Sequence, residues 1–287
     1  MKHDIYKEIS GKIISELKTG VAPWAKPWKA GTLEPINHTT RQRYSGINFL
    51  LCLLACEAGD YDRNDWLTYK QAQAIGANVR KGEKGLRLVY ASQFNPKERA
   101  GEDSRLIWFH KAFTVFNVDQ IDGLTLAPIA DVTQNTSASP EYMTALQSAV
   151  DATGAQIAIG GSQAYYRPSA DTIQLPAFDS FFDGLDFYRT AFHELAHWTG
   201  HKSRLDRDQK GASSKESYAF EELVAEMGAA FTCARLGAAY TSRHADYIGA
   251  WIKHIEENPR SILKAASKGG KAADFILDTA QAEAIAA

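Results

Sequence analysis

Apolar positions in the first segment recur every four residues, at Ile5, Ile9, Ile13 and Leu17. That spacing predicts an amphipathic helix, with Asp4 as its N-cap and Gly20 as its stop. The run Pro23-Trp24-Ala25-Lys26-Pro27-Trp28-Lys29 cannot continue a regular helix. Residues 47–57 are almost uniformly apolar and predict a buried helix, and a short helix is expected over Lys70 to Ile75. Val79 to Gly85 reads as a turn between strands. Leu86 to Tyr90 and Leu106 to Val118, rich in β-branched and aromatic residues, read as strands, with loop composition over Pro96 to Asp103. After a polar stretch, Tyr142 to Thr153 predicts a helix, and three short strands follow at 157–159, 164–167 and 172–175. The rest is helical in pattern, at about 184–199, 216–236 and 243–256, with an Ala-rich helix from about Lys271 behind Gly269-Gly270.

The polar segment 131–140 is the linker expected between two domains, 1–130 and 141–287. Charge divides at nearly the same place. Residues 1–125 hold 18 Lys+Arg against 14 Asp+Glu, net +4, and residues 126–287 hold 14 against 20, net −6. The composition, 45% hydrophobic and 23% charged over 287 residues, is that of a folded globular protein and excludes a disordered chain. No apolar run approaches the ~20 residues of a membrane span, and the charged start Met1-Lys2-His3-Asp4 is not a signal core. The expectation is a cytoplasmic protein without a membrane partner. Three cysteines, Cys52, Cys56 and Cys233, make no disulfide framework.

The chemistry is concentrated in His193-Glu194-Leu195-Ala196-His197. Residues four apart on a helix share a face, so both imidazoles can hold one tetrahedral Zn²⁺ while Glu194 stands beside it as general base. The bland account is a helix with two ordinary surface histidines. Against it stands the apolar setting of Phe187, Tyr188, Ala191, Phe192 and Leu195. A catalytic zinc takes a third protein ligand. The next helix offers Glu222, with Glu226 one turn on to orient a histidine, an order that resembles the gluzincin pattern; the two roles can also be reversed. Glu221 is expected to point elsewhere. His201 is a second candidate ligand, although Gly200 interrupts the helix before it. Mn²⁺ or Co²⁺ suits the same donors. Such a centre hydrolyses amide bonds: Glu194 takes a proton from water and passes it to the leaving amine. Tyr165, Tyr166, Tyr188, His201 and Arg204 are candidate oxyanion donors.

The basic half interleaves cations with aromatic rings. Lys26, Lys29, Arg41, Arg43, Arg80, Lys81, Lys84 and Arg87 punctuate segments that hold Trp24, Trp28, Tyr44, Trp66, Tyr69 and Tyr90. Cations neutralise phosphates and flat rings stack on unpaired bases, which suits a single-stranded nucleic-acid groove. The residues assigned to DNA contact are Lys26, Trp28, Arg43, Tyr44, Arg80, Lys81, Lys84 and Arg87. The same aromatics also suit a core, and the same charges a solvated face.

Several motifs in order resemble one family. Pro23-Trp24-x-x-Pro27-Trp28, Arg43-Tyr44-Ser45-Gly46-Ile47-Asn48, Trp66-Leu67-Thr68-Tyr69-Lys70-Gln71-Ala72 and Val79-Arg80-Lys81-Gly82-Glu83-Lys84-Gly85 resemble the N-terminal domain of the ArdC antirestriction family. His193 to His201 and Glu221 to Glu226 resemble its zincin-like C-terminal domain. The resemblance implies an α+β fold in two domains, the first binding single-stranded DNA and the second a zinc metallopeptidase acting on an unknown protein substrate. It further implies conjugative-plasmid origin and help for incoming plasmid DNA against host restriction. Two other readings remain open: a cytoplasmic metallopeptidase with no nucleic-acid role, and a non-catalytic metal-containing DNA-binding protein.

Overall fold

The structure is a computed structural model that describes residues 4–25, 34–94, 107–128, 139–207, 215–238, 240–241 and 247–286. Lys26, Trp28 and Lys29, the expected loop 96–103 and residues 131–138 of the expected linker lie outside the described residues. The chain forms two compact units, one of Pro35–Pro128 and the other of Met1–Glu34 together with Ile129–Ala287. Residues 1–34 therefore fold with the C-terminal part of the chain, whereas the sequence pattern places them with the first domain.

In the unit Pro35–Pro128, strands β1 (Ile36–Asn37), β2 (Asp65–Leu67), β4 (Leu86–Phe94) and β5 (Ile107–Asn117) form a sheet in the order β1-β2-β5-β4. β1 runs parallel to β2, and the other pairs are antiparallel. β3 (Asn78–Val79) and β6 (Ile121–Asp122) form a separate two-stranded ladder. Helix α2 (Gly46–Ala58) buries Phe49, Leu50, Leu51, Cys52 and Leu53. Its Asn48 side chain clamps β4, donating to Val89 O at 2.6 Å and accepting from Val89 N at 2.9 Å. Helix α3 (Tyr69–Ala74) starts in a capping box of Thr68 and Gln71, as its sequence favours. Its Ala72 joins a core with Leu67, Ala77, Val118 and Ile121.

The other unit begins with α1 (Ile5–Leu17), whose N-cap Asp4 accepts from Tyr6 N and whose apolar stripe Ile5, Ile9, Ile13 and Leu17 is buried. A single 3₁₀ turn, Pro23–Ala25, follows and is also buried. Ser139 caps α4 (Pro140–Asp151), so the end of the expected linker is already helix. Strands β7 (Gln156–Ile159), β8 (Tyr165–Arg167) and β9 (Thr172–Leu175) form a sheet in the order β7-β9-β8, parallel on the β7 side and antiparallel on the β8 side. Helices α5 (Gly184–Trp198), α6 (Lys215–Arg235), α7 (Ile248–Glu257) and α8 (Ser261–Ala286) complete it.

α8 starts ten residues before the Ala-rich helix expected from Lys271, and Gly269 and Gly270 lie inside it. Packing overrides their helix-breaking tendency. A Cβ at Gly269 would stand 2.8 Å from Met227 Cβ and 3.0 Å from Gly228 N, so glycine lets α8 lie directly on α6. Gly228 serves α5 in the same way, since a Cβ there would meet Ala196 Cβ at 2.9 Å. Ala196, Ala225 and Ala272 fill the seam of the three helices.

Candidate metal centre

This close crossing of α5 and α6 brings histidines to glutamates. Asp183 caps α5 by accepting from Leu185 N, and one face of the helix buries Phe192, Leu195 and Ala196. His193 and His197 share another, with ring centroids 4.9 Å apart and planes at 80°. The Glu222 carboxylate on α6 spans both rings. Its Oε2 stands 3.5 Å from His193 Nε2 and its Oε1 3.4 Å from His197 Nε2. Donor atoms of these three residues lie within 4.8 Å of one another, the one such group among the described residues.

The Nδ1 atoms face away, each toward another carboxylate. His193 Nδ1 stands 3.6 Å from Glu226 Oε1, and His197 Nδ1 stands 3.5 Å from Glu221 Oε1. Glu221 hydrogen-bonds His197 and Glu226 stands at ion-pair distance from His193, which leaves each Nε2 for a metal. Glu221 thus does not point elsewhere, as its place in the helix suggested. Arg207, buried in the loop after α5, draws it in: Nη2 donates to Glu221 Oε1 at 2.8 Å, while Nη1 donates to Thr199 Oγ1 at 2.8 Å. Glu226 accepts from Trp24 Nε1 at 3.3 Å and from Tyr240 Oη at 3.1 Å.

All the buried charged side chains among the described residues gather here: Glu194, Glu221, Glu222, Glu226 and Arg207. Four carboxylates against one guanidinium leave an excess of negative charge out of water. That arrangement is costly unless cations compensate it. The donor set, two imidazoles and a carboxylate, therefore fits a divalent ion. The local pKa values carry the same signature. Burial alone would push the His197 imidazole down, but Glu221 and Glu222 against its nitrogens, with Glu194 nearby, carry it up to about 10. Burial would raise the carboxyls of Glu221 and Glu222, yet the facing histidines, and Arg207 for Glu221, hold both below the usual range.

Glu194 lines a cavity of about 250 Å³ with His193, Thr190 and Tyr240, walled by Ala164, Pro176 and Phe181. This gives room for a substrate beside the general-base candidate. Most expected oxyanion donors are engaged elsewhere. Tyr166 donates to Asp171 Oδ1 at 2.8 Å, and Arg204 donates to Asp171 Oδ2 at 3.0 Å while its guanidinium lies 3.8 Å from the Trp198 ring centroid. His201 Nδ1 sits 2.7 Å from Ser203 Oγ and 3.9 Å from Asp171 Oδ2, not with His193 and His197. Tyr188 donates to Gln147 at 3.2 Å, and Tyr165 accepts from Arg167 at 2.8 Å. A hydroxyl absent from the expected set does reach the site. Tyr218, one turn before Glu222 on α6, hydrogen-bonds that carboxylate, and burial followed by the Glu222 charge pushes its phenol well up. Its i, i+4 spacing was the available signal.

In the unit Pro35–Pro128 the DNA-contact candidates separate. Lys81 and Lys84 are exposed, Arg43 is exposed beside its bridge to Ile36, and Arg87 is half-buried. Tyr44 is half-buried; burial pushes its phenol up to about 12, and it accepts from Asn37 Nδ2 at 3.2 Å. Arg80 is committed within the fold, to Glu83 at 3.2 Å and Asp122 at 3.4 Å. Trp66 is core, donating to Asn64 Oδ1 at 2.5 Å, and so is Trp24, whereas Tyr69 and Tyr90 are exposed. Cys52, Cys56 and Cys233 are free and buried. No helix among the described residues is long and apolar enough to cross a membrane.

The helix pair, the small sheet and the donor set define a zincin-like metallopeptidase domain, and residues 144–268 match the family model of that description. Residues 3–116 match the N-terminal domain of anti-restriction factor ArdC, and the chain belongs to the ArdC antirestriction family. The metal-free crystal structure of the antirestriction ArdC protein from R388 plasmid is similar, at 36% identity and TM-score 0.82 over 98% of this chain and 99% of that one. A Mn(II)-bound structure of that protein matches at 37% identity and TM-score 0.80, over 97% and 98% of the two chains. An uncharacterized protein of Sinorhizobium fredii (strain NBRC 101917 / NGR234), y4eC, is 34% identical over 95% of this chain and 91% of its own length. A DNA primase TraC of Escherichia coli is 38% identical over 96% of this chain, which spans only 20% of that relative's length.

Proposed function

We propose that this chain is a cytoplasmic antirestriction protein that binds single-stranded DNA, protects incoming conjugative plasmid DNA from host restriction, and carries a metallopeptidase centre. The observation that carries the centre is the gathering of every buried charge among the described residues around His193, His197 and Glu222. These three residues would hold a divalent ion, zinc by donor type, with manganese fitting as well; the R388 relative has been seen with Mn(II). When bound, the ion supplies Lewis-acid polarisation of a substrate carbonyl and a more acidic water. Glu194 takes the water's proton and hands it to the leaving amine. Tyr218 donates to the Glu222 carboxylate and would steady that ligand.

For DNA, the support is family membership together with exposed Arg43, Lys81, Lys84, Tyr69 and Tyr90. The deciding experiment is an antirestriction assay in recipient cells, comparing wild type with Glu194→Ala. Loss of protection with intact metal binding is expected. Full protection by Glu194→Ala would separate antirestriction from hydrolysis and assign it to DNA binding alone. A gel shift showing no preference for single strands would remove that half of the reading.

A further inference from the structure

We propose that Trp24 and Tyr240 are positioning residues of the metal centre, fixing the Glu226 carboxylate that orients the His193 imidazole. The N-terminal segment is then a working part of that centre. This rests on the reading of His193, His197 and Glu222 as metal ligands.

Glu226 has no exposed surface, and each of its carboxylate oxygens has a donor. Trp24 Nε1 reaches Oε2 at 3.3 Å across 202 residues of sequence, and Tyr240 Oη reaches Oε1 at 3.1 Å. The same Oε1 stands 3.6 Å from His193 Nδ1. Hydrogen bonds to both oxygens leave the carboxylate one orientation, with Oε1 at ion-pair distance from the Nδ1 side of the imidazole whose Nε2 faces Glu222.

The indole is itself held. Trp24 is 1% exposed within the turn Pro23–Ala25, and its ring packs on Trp251 with centroids 5.5 Å apart. Trp251 donates Nε1 to Ala219 O on α6 at 3.1 Å and stacks on Tyr247 at 6.1 Å. Tyr247 in turn meets Tyr218 at 6.0 Å, and Tyr218 hydrogen-bonds Glu222. One column of aromatic rings thus joins the two carboxylates, Glu226 at the Trp24 end and Glu222 at the Tyr218 end. Trp251 gives its N–H to a backbone carbonyl and Trp66 gives its own to the neutral Asn64 amide. Trp24 instead gives its N–H to the carboxylate behind a ligand histidine.

The test uses the full chain with Trp24→Phe, Tyr240→Phe and Leu146→Ala. Zn²⁺ and Mn²⁺ affinities are measured by competition with a chromophoric chelator, and thermal unfolding is followed on the metal-free proteins. Trp24→Phe and Tyr240→Phe are each expected to weaken binding by ~10-fold or more, the scale of lost outer-shell partners. Leu146→Ala, which truncates a buried side chain of α4 outside this network of hydrogen bonds and rings, is expected to lower the melting temperature without changing affinity. Wild-type affinity in both Trp24→Phe and Tyr240→Phe overturns the inference. So does an equal loss in Leu146→Ala, which would mark a general packing effect. If Trp24→Phe fails to fold, Tyr240→Phe, which deletes one oxygen, decides alone. A wild type that binds neither ion removes the metal centre itself, a result distinct from either.

Discussion

Glu194 and Glu226 are both buried and both line the same cavity, yet their partners separate their roles. Glu226 is held by Trp24 and Tyr240. Glu194 adjoins the cavity without being a member of the three-donor group. Glu194→Gln should therefore keep metal affinity and lose kcat on any peptide the wild type cleaves, by ~10²–10⁴-fold for a general base. Steady-state kinetics beside a metal-binding assay check this. Arg207→Met leaves Glu221 buried without its cation and should cost ~3–5 kcal/mol in urea unfolding. With His197 carried up to about 10 in the metal-free chain, metal uptake at neutral pH must displace a proton. Affinity should then climb as pH rises toward that value, read by titration at several pH values. The His-Glu-x-x-His run and Glu222 were legible because four-residue spacing on a helix fixes a shared face. Arg207 and Trp24 were not, since each reaches its carboxylate from a loop or turn whose path no local pattern encodes.

Among the elements, α5 and α6 matter less for their helicity than for their separation. Gly228 sets it, and Gly228→Val would drive a branched side chain into Ala196. Overpacking of this kind costs ~1–3 kcal/mol. Here it should also weaken metal binding, because moving the helices apart parts His193 and His197 from Glu222. A fall in melting temperature with unchanged metal affinity would contradict that coupling. Most helix positions were readable from apolar periodicity and caps such as Asp4 and Thr68. The start of α8 was not, because Gly269-Gly270 has the composition of a helix stop and only the close approach of Met227 explains it.

For the molecule as a whole, the charge division noted in the sequence is softened in the two units, because residues 1–34 belong with Ile129–Ala287: Pro35–Pro128 holds 12 Lys+Arg against 10 Asp+Glu, net +2, and the other unit 20 against 24, net −4. Exposed Lys81 and Lys84 should each contribute to single-stranded DNA affinity, and replacing either by Ala should flatten the slope of log K against log salt by ~0.7. Arg80→Ala should instead loosen the β3–β6 ladder, since its guanidinium is engaged by Glu83 and Asp122. Fluorescence anisotropy across salt concentrations, with unfolding curves for each variant, separates the two effects. Adding a divalent ion at 100 times its Kd should stabilise the protein by ~2.7 kcal/mol, reversed by a chelator.

Helix α1 and Trp24 belong to the unit completed by Ile129–Ala287. They leave the ribosome well before the segments they pack on. At ~5–20 residues per second, the 202 positions between Trp24 and Glu226 take ~10–40 s to synthesise. For that interval the stripe Ile5, Ile9, Ile13 and Leu17 has no core to enter, while residues 35–128 emerge whole and can fold between the two halves. The nascent chain thus presents the apolar stripe of α1 to chaperones for that interval, and the metal centre cannot be completed before Glu226 has been made.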